Sequence, residues 1–189
     1  MAKQTVLLFD KPGAKNTTAT LKAARERAAE LGIKTVVLAT STGETALKAL
    51  DVFKGTKLRI VAVTLQAGCW KQYCPPDPRK VKAAEKRGVT FLTATHTLMG
   101  NVGGAVRERI GGADPAEIIA HAYYTFCQGM KVAVEVAVMA ADAGLLEGEK
   151  EVIAIAGTGT GADTAIVLKP AYSTEFFNLK IREVLAMPR

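Results

Sequence analysis

The stretch that most constrains this chain is residues 35–47, Thr-Val-Val-Leu-Ala-Thr-Ser-Thr-Gly-Glu-Thr-Ala-Leu. It opens with a short apolar, β-branched run that lacks helical period and reads as a buried strand. A helical pattern (Ala46, Leu47, Leu50, Val52, Phe53) follows at once. Between the two, Thr40, Ser41, Thr42 and Thr45 bring hydroxyls, and Gly43 lets the backbone approach a neighbour closely. The first amides of such a helix have no partner inside it and point beyond the strand end. Two readings stand side by side: a phosphate cradle built on those amides and hydroxyls, or a plain N-cap supplied by Ser41 or Thr42.

The same strand-to-helix alternation recurs on both sides. Residues 5–9 form an apolar run, expected as a first buried strand, which Asp10-Lys11-Pro12-Gly13 stops with turn chemistry. Asn16, Thr17 or Thr18 can cap the next helix, which runs to about Leu31 and ends at Gly32. Residues 34–39 and 57–64 are the second and third strands. This β-α-β-α-β rhythm calls for parallel strands, right-handed crossovers and helices on both faces of the sheet. A long polar insertion at residues 65–78 carries Cys69, Trp70, Tyr73 and Cys74, and has the length of a lid or binding loop. Residues 79–88 read as a helix and 89–94 as a fourth strand. The glycine-rich segment 100–112 holds Arg107 and Arg109. Asp114 and Pro115 are a natural cap and first residue for a long helical region reaching about Leu146, with a break near Gly129. Residues 152–155 and 164–169 are strands too close for a crossover helix, so they are antiparallel neighbours. A short helix and a last extended segment complete the chain. The expectation is one α/β domain over residues 1–189, with a mostly parallel sheet and one antiparallel strand.

Bulk properties narrow the function classes. The net charge is +7, from 25 basic and 18 acidic residues, which suits an anionic partner. The basic residues are scattered over helix faces among acidic ones, and the aromatics form no stacking array, so nucleic acid is not expected. The longest apolar stretch, residues 132–143, is interrupted by Glu135 and Asp142, so no membrane span is expected. That stretch is either a core helix or a subunit interface, which leaves a homo-oligomer open. The first five residues lead directly into a strand and carry no leader pattern. Three cysteines without metal-ligand spacing suit a reducing cytoplasm.

In open α/β sheets, ligands bind beyond the carboxyl ends of the parallel strands. Those ends are rich in Thr, Ser, Gly and Asn and thin in catalytic groups. Such a mixture suits holding a phosphate and hydrogen-bonding a planar ring. His96 is the candidate acid or base, and the alternative is a hydrogen-bonding or packing role. Gly157-Thr158-Gly159-Thr160-Gly161 lacks the G-x-G-x-x-G spacing and leads into a strand, so it is no dinucleotide fingerprint. It is either a glycine-rich hairpin loop or a loop that meets a ligand through its amides. Trp70 and Tyr73 either stack on a ring or pin the insertion to the surface.

Residues 35–47 followed by Arg59-Ile-Val-Ala-Val-Thr64 resemble the C-terminal domain of pyruvate kinase. The hairpin of residues 152–168, with its glycine-rich loop, is similar to that domain's last two strands. Over nearly its full length the chain resembles the stand-alone proteins called pyruvate kinase alpha/beta domain. The landmarks are Lys11-Pro-Gly with Asn16-Thr17, Ser41-Thr-Gly-Glu-Thr-Ala46, Leu92-Thr-Ala-Thr-His96, Pro115-Ala-Glu-Ile-Ile119, Met139-Ala-Ala-Asp-Ala-Gly144 and Gly157-Thr-Gly-Thr-Gly-Ala-Asp-Thr-Ala165.

The resemblance implies a three-layer α/β/α fold and a phosphate site at residues 40–45. In the stand-alone group it implies flavin mononucleotide (FMN) as the ligand. Where the kinase domain usually has Lys or Arg after the loop glycine, this chain has Glu44. Arg107 or Arg109 is the expected replacement charge. The barrel domain that carries the kinase's catalytic lysine and metal carboxylates is missing from this sequence, so pyruvate kinase activity is not expected. The expectation is a cytoplasmic protein that binds a small phosphorylated ligand, FMN first. Its contacts would be Asn16, Thr17, Thr40, Ser41, Thr42, Gly43, Thr45, Thr64, Thr95, His96, Gly157, Thr158, Gly159, Thr160, Gly161 and Asp163. No catalytic or metal-binding residue is assigned. A flavin-dependent oxidoreductase and a non-enzymatic sensor of a phosphometabolite are the alternatives.

Overall fold

A computed structural model describes residues 5–146 and 150–189. The strands are β1 (Leu7–Phe9), β2 (Thr35–Ala39), β3 (Arg59–Val63), β4 (Thr90–Leu92), β5 (Val152–Ala156), β6 (Thr164–Lys169) and β7 (Lys180–Pro188). The helices are α1 (Thr17–Leu31), α2 (Glu44–Val52), α3 (Pro78–Glu85), α4 (Val102–Ile110), α5 (Pro115–Tyr124) and α6 (Gln128–Asp142). All strands belong to a single sheet of order β1-β7-β6-β5-β2-β3-β4, in which only β6 runs antiparallel to the rest. The expected mostly parallel sheet with one antiparallel strand is therefore present.

The central strands alternate between two cores. Val36 and Leu38 of β2 and Ile153 and Ile155 of β5 face a layer that holds Leu21, Ala24 and Ala28 of α1 with Ala46 and Ala49 of α2. Val37 and Ala154 face the opposite layer, which α6 dominates. Twelve residues of α6 are buried, so the apolar stretch that read as either core or interface is core. Its breadth follows from the small residues at 133, 137, 140 and 141, which let the helix lie close on the sheet. No helix among the described residues is long and apolar enough to cross a membrane.

One expectation needs correction. Residues 5–9 do not make a buried strand: β1 is a three-residue edge strand paired with β7, and Leu8 is 56% exposed. An apolar run signals a strand but carries no information about which edge it occupies. The expected break near Gly129 is present: the region after Pro115 is two helices, separated at residues 125–127. There the Cys127 thiol accepts the Met130 amide and caps α6. Gly129 has a different task, since a Cβ there would strike the Thr164 side chain. Within the glycine-rich segment, residues 102–110 form a regular helix.

Candidate functional site

The carboxyl ends of β4, β3, β2 and β5 are consecutive along the sheet, and the predicted contacts gather there in three groups. The central group is the β2–α2 passage. Thr40 is buried; its amide donates to the Val63 carbonyl (2.9 Å) and its hydroxyl accepts the Gly43 amide (3.0 Å). Gly43 has φ 96°, the left-handed turn that swings the chain into α2 and that favours glycine. A Cβ on Gly43 would also sit 3.2 Å from the Lys80 Cβ, because the start of α3 walls this loop. The wall is tied on by the Asp77 amide, which donates to the Thr42 carbonyl (3.1 Å). Ser41 and Thr42 are half-buried and Thr45 is buried. Among the described residues, the only hydroxyl contact to an α2 amide is long: Glu44 N–H to Thr42 Oγ1, 3.4 Å. Neither Ser41 nor Thr42 is the N-cap, which is Gly43 with no side-chain bond.

Charge at this helix end comes from residues the sequence reading did not single out. The Glu44 carboxylate binds the Lys80 ammonium and stands 3.5 Å from Lys48 Nζ. The Lys80 hydrogen bond holds Glu44 below the usual carboxylate range, and the same bond raises Lys80. Two cations thus offset one carboxylate at the mouth of the loop. The expected source of charge is elsewhere: Arg107 is bonded to the buried Glu117 (2.8 Å). Asp77 followed by Pro78, a cap and first-residue pair, was the sequence signal that could have placed Lys80 in the first turn of α3.

The second group joins Asn16 and Thr17 to the β5–β6 loop, which follows the other neighbour of β2. Asp163 is fully buried and its carboxylate accepts Gly13 N–H (2.8 Å), Thr158 N–H (3.2 Å) and the Thr164 hydroxyl (2.9 Å). Thr17 Oγ1 accepts the Ala162 amide (3.0 Å), and a Cβ on Gly161 would lie 2.6 Å from Ala14 Cα. Asp163, Thr17 and Gly161 therefore fasten the two loops together. Asn16 donates to the Lys11 carbonyl (2.8 Å). Gly157 also packs inside its own loop, with Gly161 O 2.6 Å from where its Cβ would be. Gly159 and Thr160 form the exposed tip, and open space surrounds Gly159.

The third group lies beside β3 and β4. Thr64 bonds Thr93, hydroxyl to hydroxyl, at 2.6 Å. Two residues beyond, Gln66 and His96 clasp each other: the Gln66 amide donates to His96 Nε2 (3.1 Å), and the His96 amide donates to Gln66 Oε1 (3.2 Å). The Met99 backbone hydrogen-bonds the ring as well, and burial, the largest influence, lowers the imidazole below its ordinary range. His96 is thus a neutral strut between two loops. Thr95 is exposed, and with Ala94, His96, Thr97, Met139, Asp142 and Ala143 it lines a cleft of about 350 Å³. A second cleft, about 500 Å³, lies by Lys169, Tyr172 and Lys180. Neither cleft includes residues 40–45. In the insertion, Trp70 donates its indole N–H to the Leu65 carbonyl (2.9 Å), which is the pinning role, while Tyr73 is 65% exposed.

Solved structures similar to this chain include a pyruvate kinase from Cryptosporidium parvum, 19% identical, with a TM-score of 0.46 over 85% of this chain and 24% of that one. A second structure of pyruvate kinase from that organism gives 17%, 0.40, 85% and 23%, and one in complex with ADP gives 20%, 0.42, 92% and 24%. The chain spans about a quarter of the length of these kinases. The assignment rests instead on the sequence: the family described as pyruvate kinase, alpha/beta domain, matches residues 18–168, and the chain belongs to that family.

Proposed function

We propose that this chain binds a small phosphorylated molecule, FMN first among candidates, along the carboxyl ends of β2, β3 and β5. The observation that carries the reading is the β2–α2 passage. Half-buried Ser41 and Thr42 stand just before a nine-residue helix whose first residue, Glu44, gathers Lys80 and Lys48. The first-turn amides of α2 and these hydroxyls supply donors, and the lysines supply the charge a phosphate needs. A planar ring would extend toward the exposed Gly159–Thr160 tip, where nothing crowds Gly159. The donor set fits the phosphate of FMN; FMN when bound would supply redox capacity. Thr17, Gly161 and Asp163 hold the loops in place and leave ring contacts to Thr158 and Thr160.

The engaged ring of His96 favours a binding role over acid–base catalysis, and no pyruvate kinase chemistry is proposed for this segment. The free thiols of Cys69, Cys74 and Cys127 suit a reducing cytoplasm. The test is visible absorbance of purified protein, before and after mixing with FMN and desalting. Near-stoichiometric retention is expected, and Ser41→Ala combined with Thr42→Val weakens it by roughly tenfold or more, about one charge-assisted hydrogen bond. Failure to retain FMN removes the flavin. Unchanged affinity in the double variant removes the cradle.

A further inference from the structure

The insertion at residues 65–76 is fastened to the rest of the protein through one residue. None of its members is buried, and none joins either core. Most of its hydrogen bonds close on the segment itself. Cys69 N–H donates to the Gln66 carbonyl (3.0 Å), Tyr73 N–H to the Cys69 carbonyl (3.0 Å), and the Trp70 indole to the Leu65 carbonyl (2.9 Å). The adjacent Thr64 hydroxyl donates to Leu65 O at 3.2 Å. Among the described residues, every other hydrogen bond that leaves the segment passes through Gln66. Its amide donates to His96 Nε2 (3.1 Å), its Oε1 accepts the His96 amide (3.2 Å), and its Nε2 donates to the Gly100 carbonyl (2.6 Å). A segment with so little packing opens locally at low cost once its anchor is lost.

That anchor works only with a neutral ring. Because Nε2 accepts the Gln66 amide, the imidazole carries its one proton on Nδ1. A second proton on Nε2 sets two donors against each other, and a bond that holds Gln66 becomes a repulsion. Burial is the largest influence on the ring, and Glu135 and Lys131 of α6 pull in opposite directions on a charged imidazole. The other titratable groups around it are Cys69, 3.5 Å from Gln66 Nε2, and Tyr124, whose hydroxyl donates to Met99 Sδ (3.7 Å) and which feels Tyr73 of the insertion. Asp142 shares the cleft of His96. We propose that His96 is the latch of a pH-gated flap: protonation at Nε2 releases Gln66 and frees residues 65–76 from the carboxyl ends of β3 and β4. The freed segment runs up to Asp77, whose amide is tied to the Thr42 carbonyl (3.1 Å), so the flap borders the β2–α2 passage. Acid favours the open form because the released ring meets water and binds its proton there more readily. The open-to-closed ratio rises by up to about tenfold for each pH unit below about 6.5, until the closed form is protonated as well.

Trp70 is the only tryptophan of the chain and rides on the flap. Acrylamide quenching of its fluorescence from about pH 8 to about pH 5, with circular dichroism alongside, tests this on the full chain. Wild type is expected to gain quenching as pH falls below about 6.5 while its circular dichroism spectrum holds. His96→Gln, which has no titrating ring, is expected to lose the pH dependence. His121→Gln, which removes the chain's other histidine, is expected to keep it. Gln66→Ala is expected to be readily quenched already at about pH 8. A flat wild-type response overturns the inference. A transition that survives His96→Gln or vanishes in His121→Gln belongs to another group and overturns it too. Gln66→Ala as protected as wild type would show that the insertion is held elsewhere, and loss of the circular dichroism signal together with the quenching would show unfolding of the whole domain; either result overturns the flap.

Discussion

Lys131 and Glu135, one turn apart on α6, form an ion pair beneath the His96 strand end. They are 5% and 4% exposed, and Glu135 also accepts the Leu98 amide at 2.9 Å. A pair this dry is costly to break and cheap to replace, because the penalty lies in the charge left behind. Lys131→Met strands a carboxylate that keeps only the Leu98 bond, an expected loss of about 3–5 kcal/mol. Glu135→Leu strands an ammonium and also orphans the buried Leu98 N–H, which adds about 1–3 kcal/mol. Lys131→Met with Glu135→Gln removes both charges while the amide oxygen still accepts from Leu98, so the double variant lies within about 1.5 kcal/mol of wild type. The assay is urea unfolding with a common m-value, and wild type, Lys131→Met, the single Glu135→Gln and the double variant yield the coupling energy as a double-mutant cycle, with Glu135→Leu measured beside them. Additive losses, or a Lys131→Met penalty under about 1 kcal/mol, would refute the reasoning and show that the pair is hydrated or readily rearranged.

Other sites give sharp expectations. Burial keeps His96 neutral, so the unfolded chain binds more protons than the folded one below the ordinary imidazole pKa of 6.5. Stability is therefore full above that value and declines as pH falls through it; thermal melts at pH on either side should show the decline, and His96→Gln should reduce it. Asp163→Ala leaves the Gly13 and Thr158 amides and the Thr164 hydroxyl without their shared acceptor, and about 3–5 kcal/mol should be lost in urea unfolding. An unchanged midpoint would mean that the loop hydrogen bonds are replaced by water. Gly129→Ala improves helix propensity yet drives a methyl into Thr164; a net loss of about 1–3 kcal/mol is expected, and a gain in thermal midpoint would contradict the close approach of α6 to β6.

Legibility of the site divides along the same line as legibility of the fold. Thr40–Gly43 was readable because a β-branched run, a hydroxyl cluster and a glycine are adjacent in sequence, and their order alone dictates a turn into a helix. Lys80 and Lys48 were not, because their meeting on Glu44 requires α3 to dock against the β2–α2 passage. Asp163 was readable as a loop-end acid, but its use as a clamp depends on Gly13, 150 residues away. His96 stood out as a strand-end imidazole; only the arrival of Gln66 and Met99 fixed it as a strut.

The sequence by itself determined what short-range physics governs. It set the strand and helix periods, the caps at Gly32 and at Asp114-Pro115, and the antiparallel β5–β6 hairpin, because periodicity, capping and loop length act over a few residues. Tertiary structure alone decided where β1 lies, since the exposed edge beside β7 depends on a partner strand at the other end of the chain. It alone turned the apolar positions of α4, Val102, Val106 and Ile110, outward. The charges of Asp114 and Glu117 claimed that helix's Gly103 and Gly104 face, and a local pattern cannot say which of its faces a distant acid will hold.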